Sequence, residues 1–235
     1  EGVARKTVLC FGDSNTWGYD PASGQRLPAE QRWTGVLQAE LGHDYCVIAE
    51  GQNGRTTVWD DPIEGTRFAP GGHGKNGARY LLPCLESHHP VDLVVLALGV
   101  NDLKARFSLP AEDIARACGQ LIDMVRACPF GPGGGAPEVL LLAPAPVGKL
   151  TAFATMFAGA QEKSRLMGRY YRAQAEERGC GFLDAGEIIT TSDLDGIHFE
   201  APEHAKLGKA VAEAVRLMME QDSGNSGRPP FPSEP

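Results

Sequence analysis

The sequence predicts an α/β domain organised on one doubly wound, mostly parallel sheet, and three observations predict it. Short β-branched and apolar runs alternate with longer segments whose apolar residues recur at helical spacing, and no stretch repeats another. The run at 91–98, Val-Asp-Leu-Val-Val-Leu-Ala-Leu, is apolar on both faces, as a central parallel strand must be when helices cover both sides. Polar and Gly-containing peptides follow the strand-like runs directly. They fall at the carboxyl edge of the sheet, where open α/β folds bind ligands.

Taken in order, residues 7–11 form the first strand, and Gly12-Asp13 turns the chain so that Ser14 emerges at the sheet edge. Residues 15–27, rich in Gly, Pro and polar side chains, read as a loop. Over 30–41, Trp33, Val36, Leu37 and Leu41 keep helical spacing and Gly42 follows as a stop. A second strand spans 45–49. The loop at 50–57 leaves its carboxyl end, and Gly51 and Gly54 there permit positive φ or close backbone approach to a ligand, though an ordinary turn explains them as well. Residues 59–76 are long and irregular, the kind of loop that is functional or mobile in a compact domain. A helix at 77–87 leads to the third strand at 91–98, which ends at Gly99-Val100-Asn101-Asp102.

An amphipathic helix follows at 111–128, with Ile114, Ala117, Leu121, Ile122 and Val125 on one side. The Gly/Pro-rich connector at 129–137 is too short for a domain linker, and 138–143 is the fourth strand. Between 147 and 160, Phe153, Met156 and Phe157 are spaced like a short helical face, either core or a wall toward substrate. A long helix at 162–178 stops at Gly179, a fifth strand covers 181–185, and a last helix covers 202–219. One domain is expected over 1–221, with the Gly/Ser/Pro-rich segment 222–235 a disordered tail.

Composition narrows the function classes. The chain has 235 residues, 42% of them hydrophobic, and 30 acidic against 22 basic residues give a net charge of -8. With no Lys/Arg-rich run, nucleic acid and membrane surfaces are poor partners. No apolar stretch is long enough to span a bilayer. Cys10, Cys46, Cys84, Cys118, Cys128 and Cys180 stand singly among apolar neighbours, as free thiols of a reducing, cytoplasmic compartment do. The first six residues run straight into a strand without a signal-type apolar region, and the start without Met leaves open whether a leader was removed. His88 and His89 are adjacent and diverge, no His-Glu-x-x-His occurs, and neither a Gly-x-Gly-x-x-Gly nor a Walker loop is present. No metal and no cofactor is therefore expected.

On Gly12-Asp13-Ser14 alone, a helix cap is the simpler role for Ser14. An acyl-transfer serine needs more: a base, a group that orients the base, and donors for the oxyanion. The rest of the chain supplies candidates for each. Asp195 and His198, three apart, share one face of a turn, so the carboxylate can accept from Nδ1 and leave Nε2 free for the Ser14 proton. The Ser14 and Gly54 N–H groups and the Asn101 side-chain amide are the oxyanion candidates, although turn chemistry alone explains Asn101-Asp102.

Together, Gly12-Asp13-Ser14, Gly54 within Asn53-Gly54-Arg55-Thr56-Thr57, Gly99-Val100-Asn101-Asp102 and Asp195-Gly196-Ile197-His198 resemble the SGNH (GDSL-type) hydrolases from first strand to last helix. The text around them, including Arg32-Trp33 and Trp59-Asp60-Asp61-Pro62, is similar to the bacterial arylesterase and acyltransferase branch. Asn15 departs from the family name, which has Leu after the nucleophile. The resemblance implies a flavodoxin-like three-layer sandwich with five parallel strands in the order 2-1-3-4-5. It implies Ser14 as nucleophile, His198 as base, Asp195 as orienter, and Ser14, Gly54 and Asn101 as oxyanion donors. The expected activity is hydrolysis of small-acyl carboxylic esters through an acyl-Ser14 intermediate, with transfer to alcohols as a companion reaction. Asn15, Val100, Lys104, Phe153, Phe157 and Ile197 are the candidates for substrate contact. A carbohydrate acetylesterase with the same residues is the rival reading, for which Trp17, Trp33 and Trp59 serve as sugar platforms or as core; a non-catalytic binding module is a more distant one. The same branch implies a homo-oligomer packed through the long segments at 59–76 and 147–160.

Overall fold

The computed structural model describes residues 4–67 and 71–225, with side chains through residue 221. β1 (Lys6–Gly12) lies inside a five-stranded parallel sheet with β2 (Tyr45–Gly51), β3 (Leu93–Ala97), β4 (Glu138–Ala143) and β5 (Gly181–Asp184). The order is β2-β1-β3-β4-β5, as the family resemblance implies. Register decides where the site forms. Gly12 pairs with Gly51 on one side and with Ala97 on the other, so the peptides following β1, β2 and β3 leave the sheet at one level.

Successive side chains of a strand point to opposite faces, and the apolar runs are long enough to fill both. Val8 and Cys10 of β1, Leu93 and Val95 of β3, and Leu140 and Leu142 of β4 pack against α2 (Trp33–Leu41) and α6 (Ala201–Asn225) through Trp33, Leu37, Leu207, Val211 and Val215. Leu9, Phe11, Val94, Leu96, Val139 and Leu141 meet α3 (Gly77–His88), α4 (Ala111–Ala127) and α5 (Ala160–Arg178) on the other face. Each such side chain contributes about 1.5–3 kcal/mol when fully buried. Three layers result, helix on sheet on helix.

The structure departs from the sequence reading at several boundaries. Residues 15–27 are not all loop: α1 (Ser14–Trp17) is a single helical turn, closed by Gly18 in the left-handed region at φ 97°. The helix expected over 30–41 starts only at Trp33, because 29–31 form a separate 3-10 turn and Arg32 is extended. Val91 lies outside β3 and donates its N–H to the Phe130 carbonyl at 2.8 Å. The stretch at 151–159 is a chain of turns rather than a helix; Gly159, at φ 82°, interrupts it before α5 begins. α6 runs on to Asn225, so residues 222–225 are helical instead of tail. The rest of the expected tail, 226–235, lies outside the described residues.

Candidate active site

Asp13, not Ser14, caps α1. Its carboxylate accepts from the Asn15 N–H at 2.9 Å and its carbonyl from the Trp17 N–H at 2.9 Å. Ser14 therefore occupies the first helical position, and the capping role falls to Asp13. Ser14 Oγ lies 2.8 Å from His198 Nε2. His198 Nδ1 is 2.6 Å from Asp195 Oδ2, and Asp195 Oδ1 accepts from the backbone N–H groups of Ile197 (2.8 Å) and His198 (2.9 Å). Burial pushes the Asp195 carboxyl up, but these hydrogen bonds outweigh it and hold the group below the ordinary carboxylate range. An ionised Asp195 accepts the Nδ1 proton, which fixes the imidazole tautomer and presents Nε2 as acceptor to the serine hydroxyl.

The three residues expected to supply oxyanion donors, Ser14, Gly54 and Asn101, all line one cavity. Among the described residues neither the Ser14 nor the Gly54 N–H donates to another backbone or side-chain group. Gly54 sits at φ 79°, a conformation that L side chains rarely adopt, and a Cβ there would come within 3.0 Å of Glu64 Oε2. Asn101 Nδ2 donates to the Arg55 carbonyl at 3.1 Å, which uses one of its two hydrogens. Arg55 is the brace beneath. Its guanidinium lies 4.2 Å over the Phe11 ring, and Nη1 donates to the carbonyls of Gly12 (2.8 Å) and Glu50 (2.6 Å). One buried side chain thus ties the end of β1 to the end of β2, while its own carbonyl positions Asn101.

Two further buried carboxyls support these turns. Asp102 accepts from the Thr57 N–H at 3.0 Å and from the Thr57 hydroxyl, and burial pushes its carboxyl up to about 7. Asp13 is likewise pushed up by burial, to about 6, against the opposing pull of the Asn15 N–H and of His198 and Arg55 nearby.

A cavity of about 140 Å³ opens over Ser14 and His198. Phe153, Met156, Phe157 and Ile197 form its apolar wall, while Asn53, Gly54, Glu64, Asn101 and Lys104 form the polar one. Phe157 is also part of the core, so the aromatic stripe serves both as core and as cavity wall. Lys104 is buried and paired: its Nζ is 2.9 Å from Glu64 and 3.7 Å from Asp61, and Arg106 joins Asp61 at 3.0 Å. The structure places two sequence candidates elsewhere. Asn15 and Val100 line a second, smaller cavity of about 30 Å³ together with Asp13, Thr16 and Trp33. The reason is local: Asn15 turns inward along α1 and donates to the Ile197 carbonyl at 3.3 Å, and Val100 packs into the core. None of Trp17, Trp33 or Trp59 lines the cavity over Ser14, and Trp33 is core.

Sequence reasoning missed Tyr19 and Glu64. The Tyr19 ring stacks on the His198 imidazole, 4.1 Å between centroids, and Phe153 approaches the same imidazole edge-on at 6.0 Å. Both missed residues lie in loops without periodicity, so no sequence signal marks them beyond the length of the segment at 59–76.

Comparison with known proteins identifies the family. The profile of the GDSL-like Lipase/Acylhydrolase family matches residues 10–206. Est24, a carbohydrate acetylesterase from Sinorhizobium meliloti, is 40% identical over 91% of this chain and 100% of its own, with a TM-score of 0.85. The aryl esterase of M. smegmatis is 41% identical over 90% of this chain and 99% of its own, with a TM-score of 0.83. A comparison with curated proteins gives no match. With its fold, its four sequence blocks and its full-length likeness to these esterases, the chain belongs to the SGNH (GDSL-like) lipase/acylhydrolase family.

Proposed function

We propose that this SGNH esterase hydrolyses small-acyl carboxylic esters through an acyl-Ser14 intermediate. The observation that carries the reading is the unbroken chain Ser14 Oγ, His198, Asp195, with contacts of 2.8 and 2.6 Å, at the floor of the cavity. Ser14 Oγ attacks the ester carbonyl carbon as His198 Nε2 takes its proton, and Asp195 stabilises the imidazolium. The carbonyl oxygen becomes an oxyanion held by the Ser14 and Gly54 N–H groups and the Asn101 amide. One such donor is worth roughly 3 kcal/mol in the transition state. His198 returns the proton to the departing alcohol oxygen as the carbon–oxygen bond breaks. A water then repeats the sequence on the acyl-enzyme and releases the acid.

The size of the cavity favours a short acyl group, and its aromatic wall disfavours water relative to an alcohol in the second half-reaction, which supports acyl transfer as a companion activity. A carbohydrate ester is the second reading, favoured by the polar wall of Glu64, Lys104 and Asn53. The cysteines, all free, suit a cytoplasmic setting, and no described helix is long and apolar enough to cross a membrane.

An organophosphonate should attach once, at Ser14. Ser14→Ala should lose on the order of 10³-fold or more in kcat with an unchanged thermal transition. Wild-type turnover in Ser14→Ala would refute the acyl-enzyme. Rates on aryl acetates, longer acyl esters and monoacetylated sugars then rank the substrate classes.

A further inference from the structure

α3 carries Tyr80, Cys84 and His88 at intervals of four residues, which places them along one stripe of the helix. That stripe faces Glu50, the penultimate residue of β2. His88 Nε2 lies 2.9 Å from Glu50 Oε1, the Tyr80 hydroxyl lies 3.5 Å from Glu50 Oε2, and donor atoms of Glu50, Cys84 and His88 all fall within 4.8 Å of one another. None of the three lines the cavity over Ser14.

We propose that Glu50, Cys84 and His88 are the protein ligands of a divalent-cation site of the zinc class, separate from the active site. A thiol, an imidazole and a carboxylate form the mixed sulfur, nitrogen and oxygen set that zinc accepts. Tetrahedral zinc, with bonds of about 2.0–2.3 Å, holds its ligand atoms roughly 3.3–3.7 Å apart. The Glu50–His88 pair, at 2.9 Å, must open by roughly 0.5 Å, and Cys84 must close by on the order of 1 Å, both within side-chain adjustment. Cys84 is buried, whereas the Glu50 and His88 side chains are 21% and 31% exposed. An ion can therefore arrive from solvent, which also supplies a fourth ligand.

Charge is the main objection, because the Arg55 guanidinium is close by. Its Nη1 is occupied by the carbonyls of Gly12 and Glu50, and the site brings its own balance. On binding, the metal–sulfur bond replaces the Cys84 S–H bond and the proton leaves to water. The Glu50 carboxylate and the Cys84 thiolate then offset both charges of the ion. The bound ion would pin the edge strand β2 to α3 just before the loop that carries Gly54. Sequence spacing joins only Cys84 and His88; Glu50 arrives through the fold.

Cobalt is the probe. The full chain, stripped with a chelator, should on titration with Co²⁺ develop a near-ultraviolet thiolate-to-cobalt charge-transfer band that Zn²⁺ abolishes, and Zn²⁺ should raise Tm. Cys84→Ser should lose the band, and His88→Gln should weaken Co²⁺ binding by more than about tenfold, the loss typical even of an outer-shell partner. His88 lies at the surface, so its variant tests the site even where Cys84→Ser fails to fold. No band in the wild type, or a band of unchanged affinity in His88→Gln, would overturn the proposal.

Discussion

Asp195 accepts three hydrogen bonds, from the His198 ring and from two backbone N–H groups, so its negative charge is fixed at one place and one orientation. Asp195→Asn preserves the size of the side chain, removes the charge and can donate to Nδ1, which favours the wrong tautomer; kcat should fall by up to about 10⁴-fold. Asp193, exposed two residues earlier, is the control, and Asp193→Asn should retain wild-type turnover. The reverse pattern of the two variants would overturn the assignment of the orienter. His204 makes a different use of burial. Its Nδ1 accepts the Trp33 N–H at 3.0 Å, its Nε2 is buried and has no hydrogen-bond partner among the described residues, and burial pushes its pKa down from 6.5 to about 4. Between those values the unfolded chain binds a proton that the folded chain refuses. The stabilisation is complete above about pH 6.5 and is lost as the pH falls toward 4, an effect on the order of 3 kcal/mol. His204→Asn keeps an acceptor for Trp33 but does not titrate. Urea unfolding should show the wild-type advantage over this variant shrinking from pH 7 to pH 4, and a difference independent of pH would contradict it.

At the scale of elements, the site depends on three turns leaving the sheet at one level, and Gly99 shows how tightly one is built. It sits at φ 129°, and a Cβ there would lie 1.8 Å from the Tyr171 hydroxyl, which donates to the Leu98 carbonyl at 2.7 Å. Gly99→Ala adds backbone strain to a collision with a buried phenol, so it should destabilise by more than about 2 kcal/mol and displace Asn101. A wild-type Tm and kcat would show the turn to be more tolerant. These turns were legible in the sequence because each combines an apolar run with a glycine and a hydrogen-bonding residue, chemistry that local composition carries. The strand order was legible through family resemblance, and the two faces of β3 through its unbroken apolar run. What escaped depends on contacts between distant segments. Tyr19 reaches His198 from far along the chain, Asn15 turns away from the cavity because the Ile197 carbonyl is there to accept, and the stretch at 151–159 forms turns despite its aromatic spacing, with Gly159 in the left-handed region marking where α5 begins.

For the whole molecule, the remaining question is assembly. A net charge of -8 makes identical copies repel, so association has to come from apolar surface. Trp59 and Ile63, on the long connection between β2 and α3, are 37% and 66% exposed, and Leu194, inside the loop that carries Asp195, is 51% exposed. Exposed large apolar side chains on connections longer than the sheet requires are candidates for subunit contact. The homo-oligomer expected from the sequence would use the surface that carries Trp59 and Ile63. Because Glu64, one residue after Ile63, lines the cavity, such association would bear on the shape of the site as well as on stability. Sedimentation at micromolar concentration should give a mass that is a multiple of 25.1 kDa. Ile63→Glu, at a position too exposed to disturb the core, should shift that mass toward the single chain. A mass of one chain for the wild type would refute the assembly, and an unshifted oligomer in Ile63→Glu would move the contact to another face.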